Sequence, residues 1–170
     1  MIKIIVDKLV RITKNRKKLE EILGVKIENR GTEVYIEGDA ENEYIAEKVV
    51  NALNFGFPFS VAIEIKTADL VFERINIKDY TKQKDLARVR GRIIGAQGKT
   101  IKTISELGNC YMELKDNYVG IIGEPEFIKN AQEAIISLAK GAKQANVYAY
   151  LEKHRPEEVV DLGLKDFKKK

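Results

Sequence analysis

The sequence predicts an α+β protein made of one unit written twice in tandem, the first copy reduced. Three observations predict it. Two stretches resemble each other at a spacing of about 85 residues. Each is preceded by a pair of alternating apolar and polar runs joined by a polar turn. Each continues into a segment whose apolar residues recur at three and four, the period of one helix face.

The elements follow in order. Ile2 to Val10 reads as a strand, which leaves room for only one helix, Lys14 to Leu23, before Gly24. Val25-Lys26-Ile27-Glu28 and Glu33-Val34-Tyr35-Ile36 alternate as hairpin strands around Asn29-Arg30-Gly31-Thr32. Ile45, Ala46, Val49, Val50 and Leu53 mark a long helix closed by Gly56, a residue type favoured just past a helix end. Phe57-Pro58 opens an added amphipathic segment, Phe59 to Ile65. Leu70 to Ile77 reads as the first strand of the second unit. Two short helical stretches follow, the later one running from Lys99 to Leu107 before Gly108. Tyr111-Met112-Glu113-Leu114 and Tyr118-Val119-Gly120-Ile121 form the second hairpin about Lys115-Asp116-Asn117. Ile128, Ala131, Ala134, Ile135 and Leu138 mark the second long helix, closed at Gly141, and Gln144 to Lys153 is its added helix. Val34-Tyr35-Ile36-Glu37-Gly38 and Val119-Gly120-Ile121-Ile122-Gly123 fall in register. These signals divide the chain into 1–66, 67–155 and a basic tail, 156–170, that ends Lys168-Lys169-Lys170.

Composition narrows the function. At 170 residues the chain has room for two small domains, and 44% apolar content allows a packed core. The net charge of +4 is a mild hint of a polyanionic partner. The single cysteine, Cys110, and the single histidine, His154, exclude an internal disulfide framework and a Cys/His metal site. Cys110 reads as a strand-core residue in a reducing, cytoplasmic setting. No apolar run reaches the roughly 18–20 residues that span a bilayer, and the apolar start is too short for a signal peptide. No membrane partner and no cofactor are expected.

The chemistry concentrates in Asp85 to Ile104. Two helical stretches flank Gly95-Ala96-Gln97-Gly98, and three arginines and two lysines crowd around it: Arg88, Arg90, Arg92, Lys99 and Lys102. Glycines at both ends of such a turn remove the side chains that would hold a sugar-phosphate chain away. The helix that starts there aims free N–H groups and a positive dipole end at the same place. Arg88, Arg92, Lys99 and Lys102 supply charge for phosphates. Ile94 and Ile101 offer an apolar floor for bases, and Tyr111 and Met112 lie on the strand nearest the expected groove, one toward a base and the other toward the core. Lys153 and Arg155 would extend the footprint. The ligand that fits is a nucleic-acid backbone, with phosphates giving affinity and base edges any sequence preference.

With this order of elements the second unit resembles a type I KH domain, strand-helix-helix-strand-strand-helix, and that resemblance implies a single-stranded RNA ligand of about four unpaired nucleotides between loop and hairpin. The first unit then resembles a degenerate KH-like domain without the Gly-x-x-Gly loop, offering Leu9 to Arg16 in its place, and it reads as a buttress for the second. Arg88-Val89-Arg90-Gly91-Arg92-Ile93-Ile94-Gly95 through Gly98-Lys99-Thr100, with Ala145-Asn146-Val147-Tyr148-Ala149-Tyr150-Leu151-Glu152-Lys153, is similar to the tandem-KH small-subunit ribosome assembly factors, archaeal relatives of the eukaryotic partner of NOB one. That resemblance implies binding near the 3′ end of small-subunit rRNA during maturation. It also implies partnership with the nuclease that trims that end and with other pre-ribosome proteins. Two alternatives stay open: a KH adaptor of another RNA-processing or RNA-degrading complex, and a protein-interaction scaffold. A nucleotide hydrolase is disfavoured, because the phosphate-loop pattern ending Gly98-Lys99-Thr100 would need glycine where Ile93 stands. No nucleophile-base pair can be read from spacing, so an enzyme is not expected.

Overall fold

The computed structural model describes residues 1–155; the basic tail expected at 156–170 lies outside the described residues. The first unit runs β1 (Ile2–Ile5), α1 (Leu9–Thr13), α2 (Arg16–Leu23), β2 (Lys26–Arg30), β3 (Glu33–Glu37) and α3 (Ala40–Phe55), followed by α4 (Phe59–Ala62) and α5 (Glu64–Thr67). The second runs β4 (Val71–Asn76), a 3-10 turn at Ile77–Asp79, α6 (Leu86–Ile94), α7 (Lys99–Leu107), β5 (Tyr111–Lys115), β6 (Tyr118–Gly123) and α8 (Pro125–Ala139), followed by α9 (Gln144–Lys153). Each unit holds a three-stranded antiparallel sheet, ordered β1-β3-β2 and β4-β6-β5. The α+β architecture of two βααββα units agrees with the expectation.

One expectation is overturned. The first unit has two helices before its hairpin, not one. The strand expected over Ile2 to Val10 stops at Ile5, because the chain turns at Asp7-Lys8. There the Asn54 side-chain oxygen accepts from both amides, at 2.8 and 3.1 Å. The released segment forms the short α1, which buries only Ile12. The missing piece is therefore the glycine loop alone. Lys14 and Asn15 join α1 to α2 with φ of −58° and −109°, both ordinary for any residue.

Alternation along the strands gives each sheet two faces. One face of the second sheet carries Ile75, Val119 and Ile121, which are buried with Val89, Ile93, Ile104 and the apolar stripe of α8. The opposite face carries Phe72, Gly120 and Ile122, and it is covered by the first unit. The rings of Phe55, Phe57 and Phe72 meet there, with centroids 5.9 Å (55–57), 5.8 Å (55–72) and 5.7 Å (57–72) apart. Such aromatic contacts add to the roughly 1.5–3 kcal/mol that burying each ring contributes. Gly120 makes the approach possible: a Cβ there would lie 2.7 Å from one carbon of Phe55 and 3.0 Å from one of Phe57. Polar contacts ring the aromatic cluster. The Lys115 ammonium pairs with Asp7 at 2.9 Å and donates to the Asn54 carbonyl at 3.3 Å.

Candidate nucleic-acid interface

The loop expected to meet RNA stands at the surface. Asp85 caps α6, its carboxylate accepting from the Arg88 amide at 3.2 Å. The helix stops at Gly95, whose φ of 76° and ψ of 175° belong to a region essentially confined to glycine. A Cβ at Gly95 would lie 2.8 Å from the backbone nitrogen of Thr100. Thr100 is the buried polar residue behind the loop, and its hydroxyl accepts from Gln144 Nε2 at 2.9 Å. Gln97 (φ 57°) and Gly98 (φ 75°) are also left-handed, so the turn twists outward before α7 begins. Ala96 and Gln97 are exposed, and a Cβ on Gly98 would meet nothing within 4 Å. The Gly95 amide donates to Gly91 at 2.8 Å and the Gly98 amide to Gly95 at 3.2 Å. An exposed turn, an open glycine and the start of α7 give the geometry that favours an anion.

The charges around it divide. Arg88, Lys99 and Lys102 are exposed, and no carboxylate among the described residues lies within 4 Å of them. Arg92 is half-buried, and its Nη2 donates to the Ala142 carbonyl at 2.9 Å, pinning α6 to the turn between α8 and α9. Arg90 likewise ties α6 to the hairpin through Asn117 Oδ1 at 2.6 Å. Lys153 and Arg155 are exposed but stand apart from the loop. Gln144, at the start of α9, touches Thr100, and nine further residues of helix carry the chain about 14 Å away to Lys153. There Asn130 of α8 donates to the His154 carbonyl at 2.9 Å.

Beside the loop, α7 and β5 enclose a groove of about 400 Å³. Ile101 and Lys102 line one side, and Tyr111, Met112 and Glu113 the other. Ile94, also half-buried, lies in the last turn of α6 just before the loop. Met112 packs on the second core, whereas Tyr111 is 42% exposed on the opposite face. The Glu64 carboxylate facing its hydroxyl pushes the phenol pKa up, and burial adds to the rise. Burial pushes Glu113 up as well, against the pull of Arg11 and Lys8. Cys110 lines the groove's edge, but burial raises its thiol to about 12, so it stays protonated.

Two contributors were missed by sequence reasoning. Phe57, Pro58 and Val61 of the first unit form the far rim of the groove. Phe57-Pro58 was visible only as the opener of a segment, and nothing local shows that it crosses to the other unit. Thr100, the reason Gly95 has to be glycine, looked like an ordinary helix residue.

A glycine-bounded turn between two helices, on a three-stranded antiparallel sheet in βααββα order, defines a type I KH domain. A family model for the second KH domain of PNO1, described as a eukaryotic type KH-domain (KH-domain type I), matches residues 71–156, and the chain belongs to that family. It is 33% identical over 147 residues to the KH domain-containing protein MJ0443 of Methanocaldococcus jannaschii, covering 82% of this chain and 65% of that protein. It is 39% identical over 105 residues to the pre-rRNA-processing protein PNO1 of Yarrowia lipolytica, covering 60% of this chain and 41% of that one. The match thus spans less than two thirds of either relative. A chain in the crystal structure of an a/eIF2alpha-aDim2p-rRNA complex from Pyrococcus horikoshii OT3 superposes with a TM-score of 0.80 at 31% identity, over 89% of this chain and 92% of that one.

Proposed function

We propose that this protein binds single-stranded RNA at the Gly95–Gly98 turn and the adjoining groove, and that its ligand is the 3′ region of small-subunit rRNA during ribosome biogenesis. The observation that carries this reading is the turn itself: exposed, left-handed at Gly95, Gln97 and Gly98, and backed by Thr100. The sugar-phosphate chain crosses Gly98 and takes hydrogen bonds from the Ala96 and Gln97 amides. Arg88, Lys99 and Lys102 neutralise its phosphates, and Ile101 and Tyr111 meet bases in the groove. Arg92, Lys153 and Arg155 fall outside this footprint. The rRNA in the related Pyrococcus complex and the pre-rRNA-processing name of the Yarrowia relative support the choice of ligand. The reading extends to a cytoplasmic binding protein rather than an enzyme, working beside the nuclease that trims the same RNA end and other pre-ribosome proteins. It divides the chain at 1–66 and 67–155, with 156–170 as a basic tail. Among the described residues no helix is long and apolar enough to cross a membrane.

The test is the double variant Ala96→Asp/Gln97→Asp, measured by fluorescence anisotropy against an oligonucleotide from the 3′ end of small-subunit rRNA. Two carboxylates beside the phosphates are expected to weaken binding by about tenfold or more, with the melting temperature unchanged. Full affinity in that variant would remove the turn from the mechanism.

A further inference from the structure

We propose that the turn between α8 and α9 is a strap that holds the glycine turn in its RNA-binding shape, with Arg92, Thr100 and Gln144 as positioning residues for the strand rather than contacts to it. The inference rests on the reading above and gives a role in it to the helix added after the βααββα order.

The need for a strap comes from the turn. Gly95, Gln97 and Gly98 all have positive φ, and Gln97, at 57°, carries a Cβ that disfavours it. Inside the turn the Gly98 amide reaches the Gly95 carbonyl at 3.2 Å, the long end of such bonds. A turn so strained keeps one shape only where its surroundings fix it.

One short segment supplies the fixing at both ends. Arg92, in the last turn of α6, donates from Nη2 to the Ala142 carbonyl at 2.9 Å. Thr100, in the first turn of α7 and 3% exposed behind Gly95, accepts from Gln144 Nε2 at 2.9 Å. The two helices that the glycine turn joins are thus tied to residues only two positions apart. That segment is itself held. Gly141, at φ 105°, ends α8 in a Schellman cap: its amide donates to the Leu138 carbonyl at 3.1 Å and the Ala142 amide to the Ser137 carbonyl at 2.9 Å. The cap ties the Ala142 amide back to α8, while the Ala142 carbonyl receives Arg92. On the other side Val147 and Leu151, 2% and 1% exposed, sink α9 into the second core. A brace fixed at both ends presents the strand with a surface already shaped, so less ordering is lost on binding.

The test measures fluorescence anisotropy on the full chain with the oligonucleotide from the 3′ end of small-subunit rRNA. Gln144→Ala and Thr100→Val, both neutral changes, are each expected to weaken binding about three- to tenfold, the worth of one hydrogen bond. Their salt slopes should match the native one, because no phosphate contact is lost. The Gln144→Ala/Thr100→Val double variant should bind no more weakly than either single variant, since both remove the same bond. Thr100→Ser, which restores the hydroxyl, should rescue binding. Hydrogen exchange should quicken at the Gly98 amide and stay native along β6. Arg92→Ala should also weaken binding with the slope unchanged; a slope shallower by about 0.7 would make Arg92 a phosphate contact and overturn its positioning role. Losses that add in the double variant, or exchange that quickens along β6 as much as at Gly98, overturn the strap. If both single variants bind at full strength while Ala96→Asp/Gln97→Asp does not, the site stands and the strap alone falls. If Ala96→Asp/Gln97→Asp keeps full affinity, the glycine turn is not the RNA site and the strap falls with it.

Discussion

The two sheets have the same strand order and the same register, yet their outer faces meet opposite fates. Tyr35 of β3 and Gly120 of β6 occupy equivalent positions in the repeated segment, as do Glu37 and Ile122. In the first sheet this face is solvated. Ile5 is 66% exposed there, Lys3 pairs with Glu33 at 3.3 Å, and the Tyr35 hydroxyl donates to Glu33 at 2.6 Å. In the second sheet Gly120 and Ile122 are fully buried beneath Phe55 and Phe57. Where the first sheet carries a tyrosine and a carboxylate, the second offers a flat apolar seat, and the first unit sits on it. The same contact delivers Pro58 and Val61 to the edge of the groove, so the packing that joins the units also shapes the site.

The largest effect should come from breaking that seat. Phe57→Ala empties a ring that is 1% exposed, and about 3–5 kcal/mol of stability is expected to go. Tyr35→Ala, on the solvated counterpart, should cost a small fraction of that. Urea denaturation of the two variants checks the contrast. Equal losses would mean that the first sheet's outer face is also an interface.

The joining turns offer the next contrast. The Lys14-Asn15 turn needs no left-handed residue, whereas the second unit's turn needs three. Gly95→Ala forces a Cβ against Thr100 in a conformation alanine avoids, and should cost about 1–3 kcal/mol as well as RNA affinity. Gly98→Ala, with open space around it, should cost about 1 kcal/mol and act mainly on binding. Thermal melting paired with anisotropy separates them. A Gly95→Ala protein that melts like the native one would mean that Thr100 does not back the loop.

Much of this was legible in the sequence. The hairpins and long helices announced themselves because each buries one face over several turns, and period then becomes pattern. The helix α1 did not, since five residues with one buried side chain contain no repeat, and Leu9-Val10 looked like more strand. The glycine turn was legible because its chemistry is local. The charge of Arg92 is visible in the sequence, while the Ala142 carbonyl that receives its Nη2, fifty positions on, is not. The first unit's share of the groove is a matter of docking, which no single segment encodes.

The smallest expected effect compares two glutamates. Glu28 lies opposite Tyr35 and Glu113 opposite Gly120, so they hold equivalent places on the two sheets. Glu28 is exposed and pairs with Lys26 at 3.1 Å. Glu113 is half-buried under the first unit, and burial raises its pKa although Arg11 and Lys8 pull the other way. A carboxyl whose pKa is raised on folding binds its proton more tightly in the native state than in the unfolded chain. Its favourable contribution is present below the unfolded pKa, near 4.5, and is lost as pH rises through the folded value. At pH 7 the ionised Glu113 therefore works against the fold, and Glu113→Gln should stabilise the protein, by less than about 1 kcal/mol because the group is only partly desolvated. At pH 4 and below the gain should vanish, since native Glu113 is then neutral too. Glu28→Gln, at an exposed position, should change stability little. Melting curves of both variants between pH 4 and 7 make the comparison, and a gain for Glu113→Gln that grew toward low pH would mean that Arg11 and Lys8 outweigh burial at the groove wall.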